Sequence, residues 1–158
     1  MKIGIASDHG GYQLKTKLVN YLKKKGHEVV DVGTFSTESV DYPDFAFELS
    51  TKVVEKEVEY GVAICSSGIG ISIACNKVKG IRCAKADSVR DAKYSRLDND
   101  ANILALSGRM PRYKALDILD AFLSTEHKEV ERHDRRIKKI TDYEEEHYRW
   151  MESFSYIY

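Results

Sequence analysis

Cys65 stands at the head of a small-residue turn, "CSSGIG" (Cys65 to Gly70), directly behind the apolar run "YGVAI". Small residues let the backbone curl until successive N–H groups aim at one point, and a helix starting behind them adds positive charge. Such a turn holds a phosphate or a developing oxyanion, and the start of a helix favours a thiolate over a thiol. Three roles are open to Cys65: nucleophile, base, or a packing residue ahead of a loop. Two competing motifs fail on spacing. A dinucleotide fingerprint needs a glycine three positions after its second glycine, and Ile73 stands there. A cysteine phosphatase loop carries an arginine where this chain has Ile71. Cys75 and Cys83 have no metal-ligand spacing with any histidine and read as packing residues.

Other stretches add polar groups. In "SDHGGY", Asp8 and His9 set a carboxylate beside an imidazole, a pairing suited to moving protons on a hydroxyl or a ring oxygen. The plainer reading is an N-capping aspartate with a solvent-facing histidine. "SGRMPR" places Arg109 just after an apolar run. "RHDRR" puts Arg132 and Arg136 four residues apart on one helical face, matching a phosphate dianion, although basic runs are more often solvated stripes.

The elements that must position these groups follow from the hydrophobic pattern. "KIGIAS", "HEVVDVG", "YGVAIC", "GIRCAKA" and "NILALSG" are five short apolar strands, and helical segments alternate with them. The first helix runs from Gly11 to Lys25 with Leu14, Leu18, Tyr21 and Leu22 on one face, and Gly26 ends it. Pro43 opens the second helix, and Ser88 is the N-cap of the fourth. Strands that are nearly continuous in apolar residues predict an α/β fold: one doubly wound five-stranded parallel sheet with helices on both faces. In such sheets ligands gather at the carboxyl ends of the strands. Four such ends are polar or glycine-rich here: "SDHGGY", "CSSGIG", "SGRMPR", and that of strand four, which leads to "SRLDNDAN" at the far end of its helix.

The rest of the composition narrows the function. With 158 residues, 42% hydrophobic, the chain is the size of one domain. Its 25 basic and 25 acidic residues cancel, so nothing draws it to nucleic acid or an anionic membrane. "RHDRRIKK" is followed by the acidic "DYEEE", which weighs further against nucleic acid. Three cysteines fit a reducing compartment, and neither a signal peptide nor a run of ~20 apolar residues is present. The expectation is a soluble cytoplasmic protein. Six aromatics between Tyr143 and Tyr158 predict a C-terminal helical extension, residues 141–158, docked on another surface such as a second subunit.

Taken together, "SDHGGYQLK", "VVDVGTFSTESVDYPDF", "ICSSGIGISIACNKVKGIRCA", "SRLDNDANILALSGR" and "ERHDRR" resemble ribose-5-phosphate isomerase type B, in the family shared with galactose-6-phosphate isomerase subunits. The resemblance covers residues 1–140. It implies a homodimer or tetramer with active sites at the subunit interface, no metal, no organic cofactor, and aldose–ketose isomerisation of a sugar phosphate through an enediolate. By position it implies that Cys65 is the base. Ser66, Ser67, Gly68, Ile69 and Gly70 would cradle the enediolate. Asp8, His9, Tyr42 and Asn99 would bind the sugar, and Arg109, Arg132 and Arg136 the phosphate. One departure stands out. The family usually has histidine as the ring-opening acid where this chain has Asp98. A carboxylate donates a proton only if burial or a like charge keeps it protonated; otherwise His9 takes over. The departure keeps two alternatives in view: an isomerase of a six-carbon sugar phosphate (allose 6-phosphate or galactose 6-phosphate), and a catalytically weak sugar-phosphate-binding subunit.

Overall fold

The computed structural model describes the backbone of residues 1–155 and the side chains of residues 1–151. Within that span lie strands β1 (Lys2–Ser7), β2 (Glu28–Gly33), β3 (Tyr60–Cys65), β4 (Cys83–Lys85) and β5 (Ile103–Ser107). They form one parallel sheet in the order β2-β1-β3-β5-β4. The helices are α1 (Tyr12–Lys24), α2 (Tyr42–Val54), α3 (Ile69–Cys75), α4 (Val89–Asn99), α5 (Arg112–Ser124) and α6 (Glu131–Ser155).

Side chains alternate across a strand, and here the alternation divides large residues from small. Ile3, Ile5, Val62, Ile64, Leu104 and Leu106 face one side, where Leu14, Leu18 and Leu22 of α1 and Ile118 and Phe122 of α5 cover them. Ala6, Ala63, Cys65 and Ala105 face the other, under Leu49 of α2 and Ile71 and Cys75 of α3. Each fully buried leucine or isoleucine contributes roughly 1.5–3 kcal/mol. The local signals hold as well. Gly26 follows α1 at φ 87°, and the Ser88 hydroxyl accepts the Asp91 N–H at 3.1 Å.

One segment differs from the sequence expectation. The run "GIRCAKA" pairs only over Cys83–Lys85. Side-chain amides take the backbone ahead of the pairing and at its first residue. Arg82 N–H donates to Asn102 Oδ1, Asn102 Nδ2 donates to the Gly80 carbonyl, and Asn76 brackets Cys83 at both its N–H and its carbonyl. The apolar side chains of α6 face largely outward. Ile140 touches the body of the protein, whereas Tyr143 and Trp150 are 66% and 61% exposed. Phe154, Tyr156 and Tyr158 lie outside the described side chains. No helix among the described residues is long and apolar enough to cross a membrane.

Candidate active site

From β1 the chain crosses to β2 on one side of the sheet; from β3 it crosses to β4 on the other. Neighbouring strands that depart in opposite directions open a crevice at their carboxyl ends. Asp8 follows β1 there and Cys65 ends β3, nearly buried and level with Ser107 of β5.

Three turns interlock around Cys65. Asp8 N–H donates to the Ile64 carbonyl at 3.2 Å, and the Asp8 carboxylate accepts the Gly11 N–H at 3.1 Å. Gly108 N–H donates to the Cys65 carbonyl at 2.8 Å, and the Ser107 hydroxyl donates to the Ser66 carbonyl at 2.8 Å. A methyl group added at Gly10 would overlap the Ser66 hydroxyl, and one at Gly108 would overlap the Gly10 carbonyl. Gly68 has φ 74°, open to glycine at little cost, and an added methyl would lie 2.8 Å from the Leu106 carbonyl carbon. The turn is therefore held in one shape by its neighbours. Its Ile69 N–H donates to the Ser67 hydroxyl at 3.1 Å. The next amides belong to the first turn of α3, where no carbonyl within the helix can accept them.

The loop between β2 and α2 closes one side of the crevice. The Tyr42 ring lies against Gly70, so close that an added methyl would sit 2.8 Å from Cζ. Val40 N–H donates to His9 Nδ1 at 3.2 Å. With Nδ1 accepting, a neutral His9 carries its proton on Nε2. Buried Lys15 steadies the start of this loop. Its ammonium meets Asp31 at 2.5 Å, Asp31 also accepts the Gly33 N–H, and the Phe35 ring packs 4.8 Å from the ammonium. Arg109 is exposed at the same edge.

Asp98, Asn99, Arg132 and Arg136 are elsewhere. They cluster where α4 ends and α6 begins, at the amino ends of the strands. The five residues of β5 alone span roughly 16 Å between the two edges. In one chain, then, the structure gathers Asp8, His9, Tyr42, Ser66–Gly70 and Arg109 with Cys65, and it holds the remaining four on the opposite edge.

This second cluster contains a residue the sequence reading passed over. His133 is almost fully buried, and its Nε2 accepts the Arg132 Nε–H at 2.9 Å. Its Nδ1 lies 3.1 Å from Asp98 Oδ1, close but poorly aligned for a hydrogen bond. The only sequence signal was a histidine inside an arginine run. Arg96 organises the end of α4. Its guanidinium donates to Asp100 Oδ1 (2.7 Å), the Ala101 carbonyl (2.6 Å), the Thr125 carbonyl (3.2 Å) and the Tyr60 hydroxyl (2.9 Å). A cavity of about 410 Å³ opens beside this cluster, lined by Asn99, Arg82, Cys83 and Glu144 among others, and not beside Cys65.

Residues 3–140 match the sequence model of the Ribose/Galactose Isomerase family. The chain belongs to this family. Among similar proteins is the ribose-5-phosphate isomerase B of Mycobacterium leprae, 40% identical over 93% of this chain and 92% of that protein. The structure of Clostridium thermocellum ribose-5-phosphate isomerase B is 49% identical and superposes with a TM-score of 0.91, covering 93% of this chain and 99% of that one. The structure of ribose-5-phosphate isomerase B from Mycoplasma genitalium, which holds bound ribulose-5-phosphate, is 40% identical with a TM-score of 0.87, covering 92% of this chain and 97% of the other.

In this isomerase-family chain the second cluster depends on one more histidine. His127 offers Nδ1 to the Leu97 carbonyl at 2.9 Å and Nε2 to Asp134 at 2.8 Å, tying the start of α6 to the end of α4. Two acceptors favour the doubly protonated ring. The hydrogen bond to Asp134 raises the His127 pKa above its usual value, partial burial opposes that, and the Leu97 carbonyl and Asp100 add to it. A raised folded-state pKa gives stability that is complete below the unfolded value of about 6.5 and is lost as pH climbs through the folded value. The unfolding midpoint of the wild type should therefore exceed that of His127→Gln most below about pH 6.5, with the gap shrinking as pH rises above it. Urea titrations of both proteins on either side of that pH check this; a gap that widens with pH contradicts it.

Proposed function

We propose that the protein interconverts ribose 5-phosphate and ribulose 5-phosphate through an enediolate. The observation that carries this reading is Cys65, nearly buried at the carboxyl end of β3 and clasped by a rigid turn that leads into the first turn of α3. The Cys65 sulfur takes the proton from C2 and returns it to C1. The amides of Ser66–Gly70 hold the negative charge on the enediolate oxygens, in the manner of an oxyanion hole. Membership of the family and the ligand in the Mycoplasma genitalium structure support the same sugar phosphate.

Ring opening needs an acid at the ring oxygen. Asp98 faces His133 Nδ1 and is placed as an acceptor. His9 has its Nδ1 occupied by Val40 and a proton to give from Nε2. We assign the acid to His9 and a proton-accepting or sugar-binding role to Asp98.

Because the two clusters occupy opposite edges, a complete site takes Cys65, His9, Tyr42 and Arg109 from one copy, and Asp98, Asn99, Arg132 and Arg136 from a second. The exposed stack of Tyr143, His147 and Trp150 on α6, with centroids 5.4 and 6.3 Å apart, is the surface we place against the second copy. Hybrid complementation tests this arrangement. Cys65→Ala and Arg132→Ala/Arg136→Ala proteins, each inactive alone, should recover part of the wild-type activity when unfolded and refolded together. Recovery would come from hybrids with one intact site; no recovery in proven mixed oligomers would refute the shared site.

Asp98 also motivates the second reading, a preference for six-carbon substrates. Wild type and Asp98→His are to be assayed on ribose 5-phosphate, allose 6-phosphate and galactose 6-phosphate. The proposal expects ribose 5-phosphate to be turned over most efficiently by the wild type, with His9→Asn slowing furanose substrates more than Asp98→Asn does. Higher kcat/KM on a six-carbon phosphate would overturn the choice of sugar, and tight binding without turnover would overturn the enzyme.

A further inference from the structure

α1 turns five side chains into the protein, and four of them, Leu14, Leu18, Val19 and Leu22, are aliphatic. The fifth is Lys15, only 1% exposed, which takes no part in the chemistry above. A buried ammonium is costly unless matched partners lie within reach. Here they are one carboxylate and two ring faces: Asp31 Oδ1 at 2.5 Å, the Phe35 ring centre at 4.8 Å and the Tyr12 ring centre at 5.7 Å. Asp31 and Phe35 stand on either side of the point where β2 becomes the loop to α2. Asp31 Oδ1 also accepts the Gly33 N–H at 3.0 Å, and Thr34 N–H donates to the Ser7 carbonyl at 2.7 Å.

Beyond Thr34 the loop has little else to hold it. Residues 35–39 are all exposed. Among the described residues the hydrogen bond they make is internal, from Glu38 N–H to the Ser36 hydroxyl at 3.3 Å. The Phe35 ring, seated over Lys15 and against Gly33, ties them to the body of the protein. The chain regains that body at Val40, whose N–H donates to His9 Nδ1 at 3.2 Å, and at Tyr42, whose ring packs on Gly70. One end of the loop is thus anchored on Lys15, and its other end holds His9.

We propose that Lys15 is a positioning residue for ring opening: its ammonium seats Phe35, the seated loop keeps the Val40 N–H on His9 Nδ1, and the His9 proton stays on Nε2, ready for the ring oxygen. The proposal rests on His9 as the ring-opening acid. An apolar side chain at position 15 fills the space but removes the cation that orders Asp31 and the Phe35 ring. The loop then shifts, Nδ1 loses its donor, and the proton divides between the two ring nitrogens. The turn after Cys65 is held through Gly108 and does not depend on this loop.

The test compares the full-length wild type with Lys15→Met, Phe35→Leu and Phe35→Trp, each carrying isotope-labelled histidine for nitrogen NMR of the ring. Phe35 is 68% exposed, so its variants remove the contact without disturbing the core. The His9 signals are those lost in His9→Asn. At a pH where the ring is neutral, wild type and Phe35→Trp, which keeps a ring over the ammonium, should show the proton on Nε2 alone. Lys15→Met and Phe35→Leu should show both tautomers. These two should also convert ribose 5-phosphate at least tenfold more slowly, inside the ~10²–10⁴-fold that a positioned acid contributes. Uptake of solvent deuterium at C1 of ribulose 5-phosphate, acyclic because its 5-hydroxyl is esterified, needs no ring opening and should be almost unchanged. A His9 that keeps its Nε2 proton in folded Phe35→Leu overturns the proposal, and so do equal losses in the two reactions. His9→Asn then shows which premise failed. If it slows ribose 5-phosphate more than exchange, His9 is the acid and Lys15 does not serve it; if it slows both alike, the assignment of the acid to His9 falls.

Discussion

Cys65→Ala is expected to fold normally and to lose isomerisation. A positioned general base contributes about 10²–10⁴-fold to a proton transfer. Alanine removes that base while leaving the turn, which is held by backbone contacts to Gly108 and Ile64 rather than by the sulfur. The rate of ribulose formation from ribose 5-phosphate should fall within that span or further, with the circular dichroism spectrum and the melting temperature close to wild type. KM should change less than kcat, because the amides and arginines proposed to bind substrate remain. Exchange of the C2 proton with deuterated solvent should fall in parallel with turnover. Near wild-type turnover would remove Cys65 from the role of base, whatever the fate of the rest of the site.

The second large effect is on stability. Arg96→Ala should cost about 3–5 kcal/mol, the range for removing one partner from a buried charge network. Arg96 is only 4% exposed, and it satisfies Asp100, two carbonyls and the Tyr60 hydroxyl at once. Its guanidinium also packs 4.7 Å from the Tyr60 ring and 5.7 Å from that of Phe122. Asp100 is 39% exposed at its side chain, so its abandoned charge can hydrate and the lower end of the range is expected. At roughly 2–4 °C per kcal/mol for a domain of this size, the melting temperature should drop by about 10 °C. Thermal unfolding followed by circular dichroism measures it; a drop of only a degree or two would mean that the network contributes little. Because Arg96 also fixes the turn at Asp100, the variant should lose activity before it unfolds.

Much of the fold can be read from the chain because its signals are local. The alternation in Ile3–Ile5, Val62–Ile64 and Leu104–Leu106 marks strands, and Gly26 and Ser88 mark helix ends by conformational and hydrogen-bonding needs of their own. The same holds for Asp8, His9 and the turn after Cys65, which sit at strand ends by order along the chain. What was not legible depends on residues far apart. The start of β4 is decided by Asn102, whose side chain takes the Arg82 N–H and the Gly80 carbonyl, while Asn76 caps Cys83. The place of His133 is decided by the docking of α6 on α4. The position of Asp98 and Asn99 was implicit in their lying just ahead of β5. Polar character alone had grouped them with the carboxyl ends of the strands.

The brevity of β4 bears on whether copies of this chain can join sheet to sheet. An edge strand with free backbone groups invites another strand to add to it, and proteins blunt such edges to avoid runaway aggregation. Here the outer strand pairs over three residues, and Asn76 occupies the N–H and carbonyl of the first. The β2 edge carries its own interruption, a register shift against β1 between Ile5 and Ala6. Growth of a continuous sheet from the β4 edge has little exposed ladder to start from, which leaves helices and turns, the parts of the chain that carry the polar clusters, as the surfaces for contact on that side.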